Sequence, residues 1–224
     1  MHRGVVAVAA AVLIGQAAFA QAADLAGTVR DAAGNPLADA VFFAIPRNTR
    51  LPPLPAAAAP TAIDQVNSQF PFVTPVRTGT PVVFRNADTY GHTVYSVSST
   101  KVFDIPLSRD VVSAPVSFDK PNVVVIGCSI HDFMVGYLLI VDTPYFAVTN
   151  GSGTAVLRGL AQDTHDVYVW HPGMPAPTAA QEVVVTNAAI VNVEFRVGLR
   201  PDGLRPDGLW RIDRNNPVGR YVAP

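Results

Sequence analysis

The sequence predicts an all-β chain folded as β-sandwiches with antiparallel pairing. Beyond the N-terminal segment, helical periodicity is almost absent, and short runs rich in Val, Ile, Phe and Tyr are separated by Pro, Gly, Asn and Asp. The 20 prolines among 224 residues point the same way, because proline is poorly tolerated inside helices. Regular turn signals between such runs are the pattern of a sandwich. A hydrophobic content of 49% against 15% charged residues supplies apolar material for real cores, and the length suits one or two domains of about 100–200 residues each. The formal charge of −1 lacks the basic footprint of a nucleic-acid-binding protein.

From the N-terminus, His2 and Arg3 precede an unbroken small and apolar run from Val5 to Ile14, and Ala18-Phe19-Ala20 forms an A-x-A cleavage site. Residues 1–23 therefore read as a secretory signal peptide, cut near Ala20 or Ala23, because the run is too short to span a bilayer. No later segment reaches spanning length, so a periplasmic protein with no membrane span is expected. Strands are expected at Ala26–Val29, Ala40–Ile45, Pro81–Arg85, Thr93–Val97, Val116–Phe118, Asn122–Ile126, Val135–Val141, Gly153–Leu157, His165–Trp170, Gln181–Val185 and Ile190–Arg196. Arg30 to Pro36 reads as a turn, and Leu51–Pro60, rich in Pro and Ala, as an extended linker. Residues 199–224 read as an irregular tail, since Arg200-Pro201-Asp202-Gly203-Leu204 is repeated at once as Arg205-Pro206-Asp207-Gly208-Leu209.

Cys128 is the one cysteine of the chain, and an exported protein with an odd cysteine calls for a reason. A free thiol in an oxidising compartment is inert in a core, reactive in catalysis, or tied up on a metal. Cys128-Ser129-Ile130-His131-Asp132-Phe133-Met134 lies directly between two strong strands, so Cys128, His131 and Met134 can converge from one tight loop. A second imidazole must come from elsewhere, and His92 stands beside a strand far upstream. Two His, one Cys and a weak axial Met are the ligand set of blue-copper electron-transfer sites. Soft sulfur suits Cu(I) and imidazole suits Cu(II), so a mixed set tolerates both states with little rearrangement.

The Cys-x-x-His-x-x-Met loop resembles that of the cupredoxin family, amicyanin and plastocyanin in particular. Gly79-Thr80-Pro81-Val82-Val83-Phe84-Arg85-Asn86-Ala87-Asp88, leading to His92-Thr93-Val94, resembles the run before the first ligand histidine of that family. Asp64-Gln65-Val66-Asn67, Phe118-Asp119-Lys120-Pro121, Gly127 to Tyr137 and Asp142 to Ala147 resemble exported plastocyanin-like proteins labelled methylamine utilization proteins. The resemblance implies a cupredoxin-like Greek-key sandwich holding one mononuclear type 1 copper through His92, Cys128, His131 and Met134. Asn86 and Asp88 then brace the loop carrying His92. Two positions depart from the family: Ile130 stands where a proline commonly precedes the second histidine, and Thr93 where an Asn commonly ties the ligand loops together.

Ala26 to Val41, and Val148 to Gly153 continuing through Val167-Tyr168-Val169-Trp170-His171-Pro172, resemble the carboxypeptidase-regulatory-like (transthyretin-like) β-sandwich. The metal-ligand pattern falls between these two segments. A nested layout is the resulting expectation, with residues 24–46 plus 143–198 forming the outer sandwich and 47–142 the copper domain. The rival layout shares strand Ala40–Ile45 between both.

Electron carriage between protein redox partners is the leading function, without enzymatic activity, because four protein ligands leave no open position for substrate. The chain has no His-x-His pair of the multicopper oxidase kind. A copper chaperone or buffer is the alternative, although such proteins favour Met-rich sites and this chain has 3 methionines, Met1 included. A third reading makes the outer sandwich a glycan or envelope-binding module, with Trp170 and Trp210 as candidate stacking surfaces. A thiol hydrolase on Cys128 and His131 is disfavoured, since a nucleophile and base need a separate orienting group.

Overall fold

Strands with strict alternation bury one face, and strands with continuous apolar runs bury both. Both kinds occur in the computed structural model, which describes residues 23–174, 178–186 and 190–200, and the backbone of 211–212 and 221–222. The signal peptide, Ala23 excepted, and most of the repeat-bearing tail lie outside the described residues. The described elements are strands and connections, without a helix among them.

In chain order the strands are β1 (Ala23–Asp31), β2 (Val41–Pro46), β3 (Thr61–Gln65), β4 (Val73–Arg77), β5 (Val82–Asn86), β6 (His92–Ser96), β7 (Phe103–Leu107) and β8 (Asn122–Gly127). They continue as β9 (Val135–Val141), β10 (Phe146–Val148), β11 (Thr154–Leu160), β12 (Asp163–Trp170), β13 (Gln181–Val185), β14 (Val191–Val197), β15 (Arg211–Ile212) and β16 (Tyr221–Val222). Four sheets carry the fold, in the orders β11-β1-β14, β10-β2-β12-β13, β4-β9-β8-β6-β7 and β3-β5, and β15 pairs β16 in the tail.

Three cores lie between these sheets. The first joins the three- and four-stranded sheets, with Leu25 and Val29 of β1 facing Phe42 and Ala44 of β2 and Val167 and Val169 of β12. Gly27 is required here, because a Cβ at that position would lie 2.8 Å from the Phe42 ring. The second fills the space between the two- and five-stranded sheets, with Ile63, Phe84, Val94, Val124, Ile126 and Leu138.

The third core lies where the four- and five-stranded sheets meet back to back. Val41, Phe43, Tyr168 and Trp170 pack there against Val73, Tyr137, Leu139 and Val141. Phe43 stacks on Tyr168 with centroids 5.2 Å apart, and Tyr137 meets Trp170 edge-on at 6.4 Å. This accounts for the unbroken apolar runs of β2, β9 and β12: each has a core on both sides. The chain crosses between the sheets at Thr143, fully buried, whose hydroxyl donates to the Ala44 carbonyl at 2.7 Å.

Three expectations are corrected. Pairing is not uniformly antiparallel, since β1 with β14, β3 with β5 and β4 with β9 run parallel. Val116–Phe118 forms no strand; Val116 makes a single bridge to Val82, and Phe118 plugs the second core instead. Strands β3, β4, β7 and β10 arise where none is expected, and the tail expected to be irregular carries the short β15–β16 pair. Two of them carry a proline, Pro75 in β4 and Pro106 in β7, and both are edge strands, where a missing N–H costs least.

Candidate metal centre

The centre forms at one end of the second sandwich, where β6 begins and the β8–β9 connection turns. β6 alternates, so His92, Val94 and Ser96 face inward, and the His92 ring is fully buried. Cys128 follows the last residue of β8, and Met134 precedes the first of β9. The ends of this loop are closed by Cys128 N–H donating to the Met134 carbonyl at 3.3 Å, and by Met134 N–H donating to the His131 carbonyl at 3.0 Å. Cys128 and Met134 are buried in the same core, while His131 is half-buried at the rim.

The ligand-capable atoms of His92, Cys128 and His131 all lie within 4.8 Å of one another. Cys128 Sγ is 3.9 Å from Nδ1 of His92 and 3.8 Å from Nδ1 of His131. With metal bonds of about 2.0–2.3 Å, three ligand atoms around a trigonal centre stand roughly 3.7 Å apart, so the spacing fits a first-row transition ion. The donor types, two imidazoles and a thiolate with a thioether in the adjoining core, fit copper in particular.

His92 and Cys128 are each held by a partner. Asp88 Oδ2 lies 2.8 Å from Nε2 of His92, an arrangement that turns Nδ1 toward Cys128 and fixes the tautomer. The same carboxylate accepts N–H bonds from Asn67 at 2.6 Å and Ser68 at 2.8 Å. Burial works against its charge, but the Ser68 N–H, the His92 ring and the Asn67 N–H prevail and hold it below the usual carboxylate range. Asn86 locks the connection from β5 to β6: its Nδ2 donates to the carbonyls of Tyr90 at 2.7 Å and Leu107 at 3.1 Å, and its Oδ1 accepts from Asp88 N–H at 2.9 Å.

Thr93 ties the two ligand-bearing segments together. Its N–H reaches Cys128 Sγ at 3.4 Å, and its hydroxyl accepts from Ser129 N–H at 2.7 Å and lies 2.9 Å from the Ser129 hydroxyl. Burial raises the Cys128 thiol, but N–H groups of Thr93 and Ile130 and the rings of His131 and His92 outweigh it and bring the thiol from 9.0 to about 6. A proline at position 130 would have no N–H to contribute.

Around the rim, Tyr90 packs on His92 at 5.1 Å and His131 at 5.9 Å, and Phe133 on His131 at 5.8 Å. Tyr90, Ile130 and Phe133 are exposed. Asp132 is exposed on the same loop. Residues that sequence reasoning missed are Gln65, Ser68 and Ser129. Their contacts join positions that become neighbours only through sheet packing, and Asp64-Gln65-Val66-Asn67 was legible only as a family-like segment.

His165 and His171 lie apart from this centre, and Met174 is buried in the first core. Trp170 is buried in the third core and offers no stacking surface, and Trp210 lies outside the described residues.

No protein-family model and no curated protein matches the chain. Solved cupredoxins are among its structural neighbours. A mutant amicyanin in its reduced Cu(I) form aligns over 39% of this chain and 87% of its own, at 17% identity and a TM-score of 0.35. A purple cupredoxin from Nitrosopumilus maritimus aligns over 36% of this chain and 99% of its own, at 22% identity and a TM-score of 0.32. A copper-containing nitrite reductase from Thermus scotoductus SA-01 aligns over 37% of this chain at 26% identity and a TM-score of 0.35, and the match spans 22% of that enzyme.

Proposed function

We propose that this chain is an exported type 1 copper protein that carries single electrons between a protein donor and a protein acceptor. The observation that carries the reading is the meeting of Cys128 with two imidazole nitrogens at 3.8 and 3.9 Å. His92, Cys128 and His131 would hold the ion, with Met134 as the weak axial donor. Copper, when bound, supplies the one-electron couple. Buried His92, Cys128 and Met134 exclude water and keep the donors in one arrangement, which keeps reorganisation small. Half-buried His131, ringed by exposed Tyr90 and Phe133, is the edge nearest a docking partner.

The same reading treats residues 47–142 as the copper domain and 24–46 plus 143–198 as the sandwich that carries it. Export accounts for the N-terminal sequence. No helix among the described residues is long and apolar enough to cross a membrane. Ala23 pairs with Leu160 in the first sheet, which favours cleavage after Ala20 over cleavage after Ala23.

The test is addition of Cu(II) to the purified mature protein with a visible spectrum and a reductive titration. An intense thiolate–Cu(II) band, reversibly bleached by one electron and lost in Cys128→Ser and His92→Ala, is expected. A wild-type protein that binds Cu(II) with a spectrum identical to Cys128→Ser refutes the reading.

A further inference from the structure

We propose that Gln65 is a positioning residue of the metal centre, acting through Thr93 on the sulfur of Cys128. Gln65 ends β3 in the two-stranded sheet, fully buried, and its Nε2 reaches the opposite sheet to donate to the Thr93 carbonyl at 3.0 Å. Its Oε1 has no hydrogen-bond partner. A half-satisfied amide in an apolar core is costly, and a Met or Leu of similar size would carry no such cost. Stability of the core therefore does not explain the amide.

The Thr93 contacts do explain it. Thr93 presents its N–H to Cys128 Sγ at 3.4 Å and its hydroxyl to Ser129 N–H at 2.7 Å. An N–H···S contact of that length depends on the aim of the peptide, and pinning the Thr93 carbonyl restrains rotation about the bonds that set the aim. Two residues on, Asn67 donates its N–H to Asp88, which holds the other face of His92. The Asp64-Gln65-Val66-Asn67 segment thus braces the centre twice, through Gln65 toward the sulfur and through Asn67 toward the imidazole. Hydrogen bonding around the cysteine sulfur tunes the potential of such a copper site. The consequence for the potential rests on the copper reading above; the restraint on Thr93 does not.

The test uses Gln65→Met, matched in length and without a donor, and Gln65→Leu as a second variant. In the copper-free protein, amide exchange at Thr93 and Ser129 should accelerate about fivefold or more, the equilibrium weight of one ordinary hydrogen bond. Amides of the three-stranded sheet and the urea midpoint should stay unchanged. In the copper-loaded protein, the one-electron equilibrium against a fixed mediator should shift about fivefold toward the oxidised form. Unchanged exchange at Thr93 and Ser129 overturns the proposal. So does loss of cooperative unfolding in both variants, which would assign the amide to the fold. Faster exchange in the variants, together with a wild type that forms no thiolate–copper band, upholds the brace and refutes the copper reading alone.

Discussion

Removing the Asp88 carboxylate tests the scaffold of the centre without any metal. Asp88 is 8% exposed and satisfies three donors: Asn67 N–H, Ser68 N–H and the His92 ring at Nε2. Hydrogen bonds to a charged group contribute about 1.5–3 kcal/mol each, but three that share one carboxylate do not add. Asp88→Ala leaves all three donors unmet at once, a loss of about 3–5 kcal/mol when the cost of about 1–3 kcal/mol per unmet buried donor is discounted for their sharing one site. Asp88→Asn keeps the shape and one acceptor but turns an NH₂ toward a donor, and should cost about 1.5–3 kcal/mol. Urea unfolding of the copper-free protein, fitted with a common slope, measures both. The acid limb gives an independent sign. A carboxyl held below its ordinary value contributes stability that is present above about pH 3.9 and lost as pH falls through the lower folded value. That part of the acid dependence should vanish in Asp88→Asn. A loss below about 0.5 kcal/mol for Asp88→Ala would refute the assignment of Asp88 as the anchor of this end of the sandwich.

The four-stranded sheet and the turn after β12 carry their own pH dependence. His165 and His171 are both buried, and burial is the main cause holding each below 6.5, opposed by Asp163 and Asp166 at the first and by Asp39 at the second. As pH falls below 6.5 the unfolded chain takes protons that the folded chain refuses. Stability should drop by up to ~1.4 kcal/mol per pH unit per histidine until the folded values are reached, and His165→Leu should flatten the limb in urea melts between pH 5 and 8. Gly153 has φ +72, and a Cβ there would sit 2.4 Å from the Val29 carbonyl oxygen. Gly153→Ala should cost at least ~2 kcal/mol, read as a lower thermal midpoint. Leu139 is fully buried in the core that both sandwiches share. Leu139→Ala should cost ~2–5 kcal/mol and move fluorescence- and circular-dichroism-detected transitions together, whereas a shift in one probe alone would show that the shared core does not couple the sheets.

Much of the fold was legible because burial on two faces leaves a strong trace. Strand β9 was expected at its observed bounds, and β2, β8 and β12 within a residue or two, since apolar runs bounded by turn formers leave little choice. Strand direction left no such trace. Alternation specifies which face is buried and says nothing of whether the neighbour runs parallel, so the β1–β14, β3–β5 and β4–β9 pairs could not be read. The overlooked strands are short, polar or proline-bearing. β3, β4, β7 and β10 all form sheet edges, where partners on one side only relax the demand for β-branched residues.

At the centre, the sulfur loop was legible because its residues are adjacent, whereas the contacts of Gln65, Asn67 and Ser68 depend on long-range pairing. Asn67 and Ser68 both have φ 54, which turns their N–H groups together onto Asp88, and no local sequence rule demands that conformation of a serine. Yet a signal was present. β3 faces Ile63 and then Gln65 inward, β5 faces Val82, Phe84 and then Asn86, and β6 begins with inward His92 before Val94. Gln65 pairs with Asn86 in parallel register, and the chain leaves Asn86 for His92 through a short turn, so all three polar residues fall at one pole of an apolar sandwich. Alternation predicts apolar residues at those inward positions, and each exception is costly by itself. Their concentration at the pole where Cys128 emerges makes the cost intelligible: Gln65 pins the Thr93 peptide whose N–H meets the sulfur, and Asn86 holds Asp88, which accepts from the His92 imidazole.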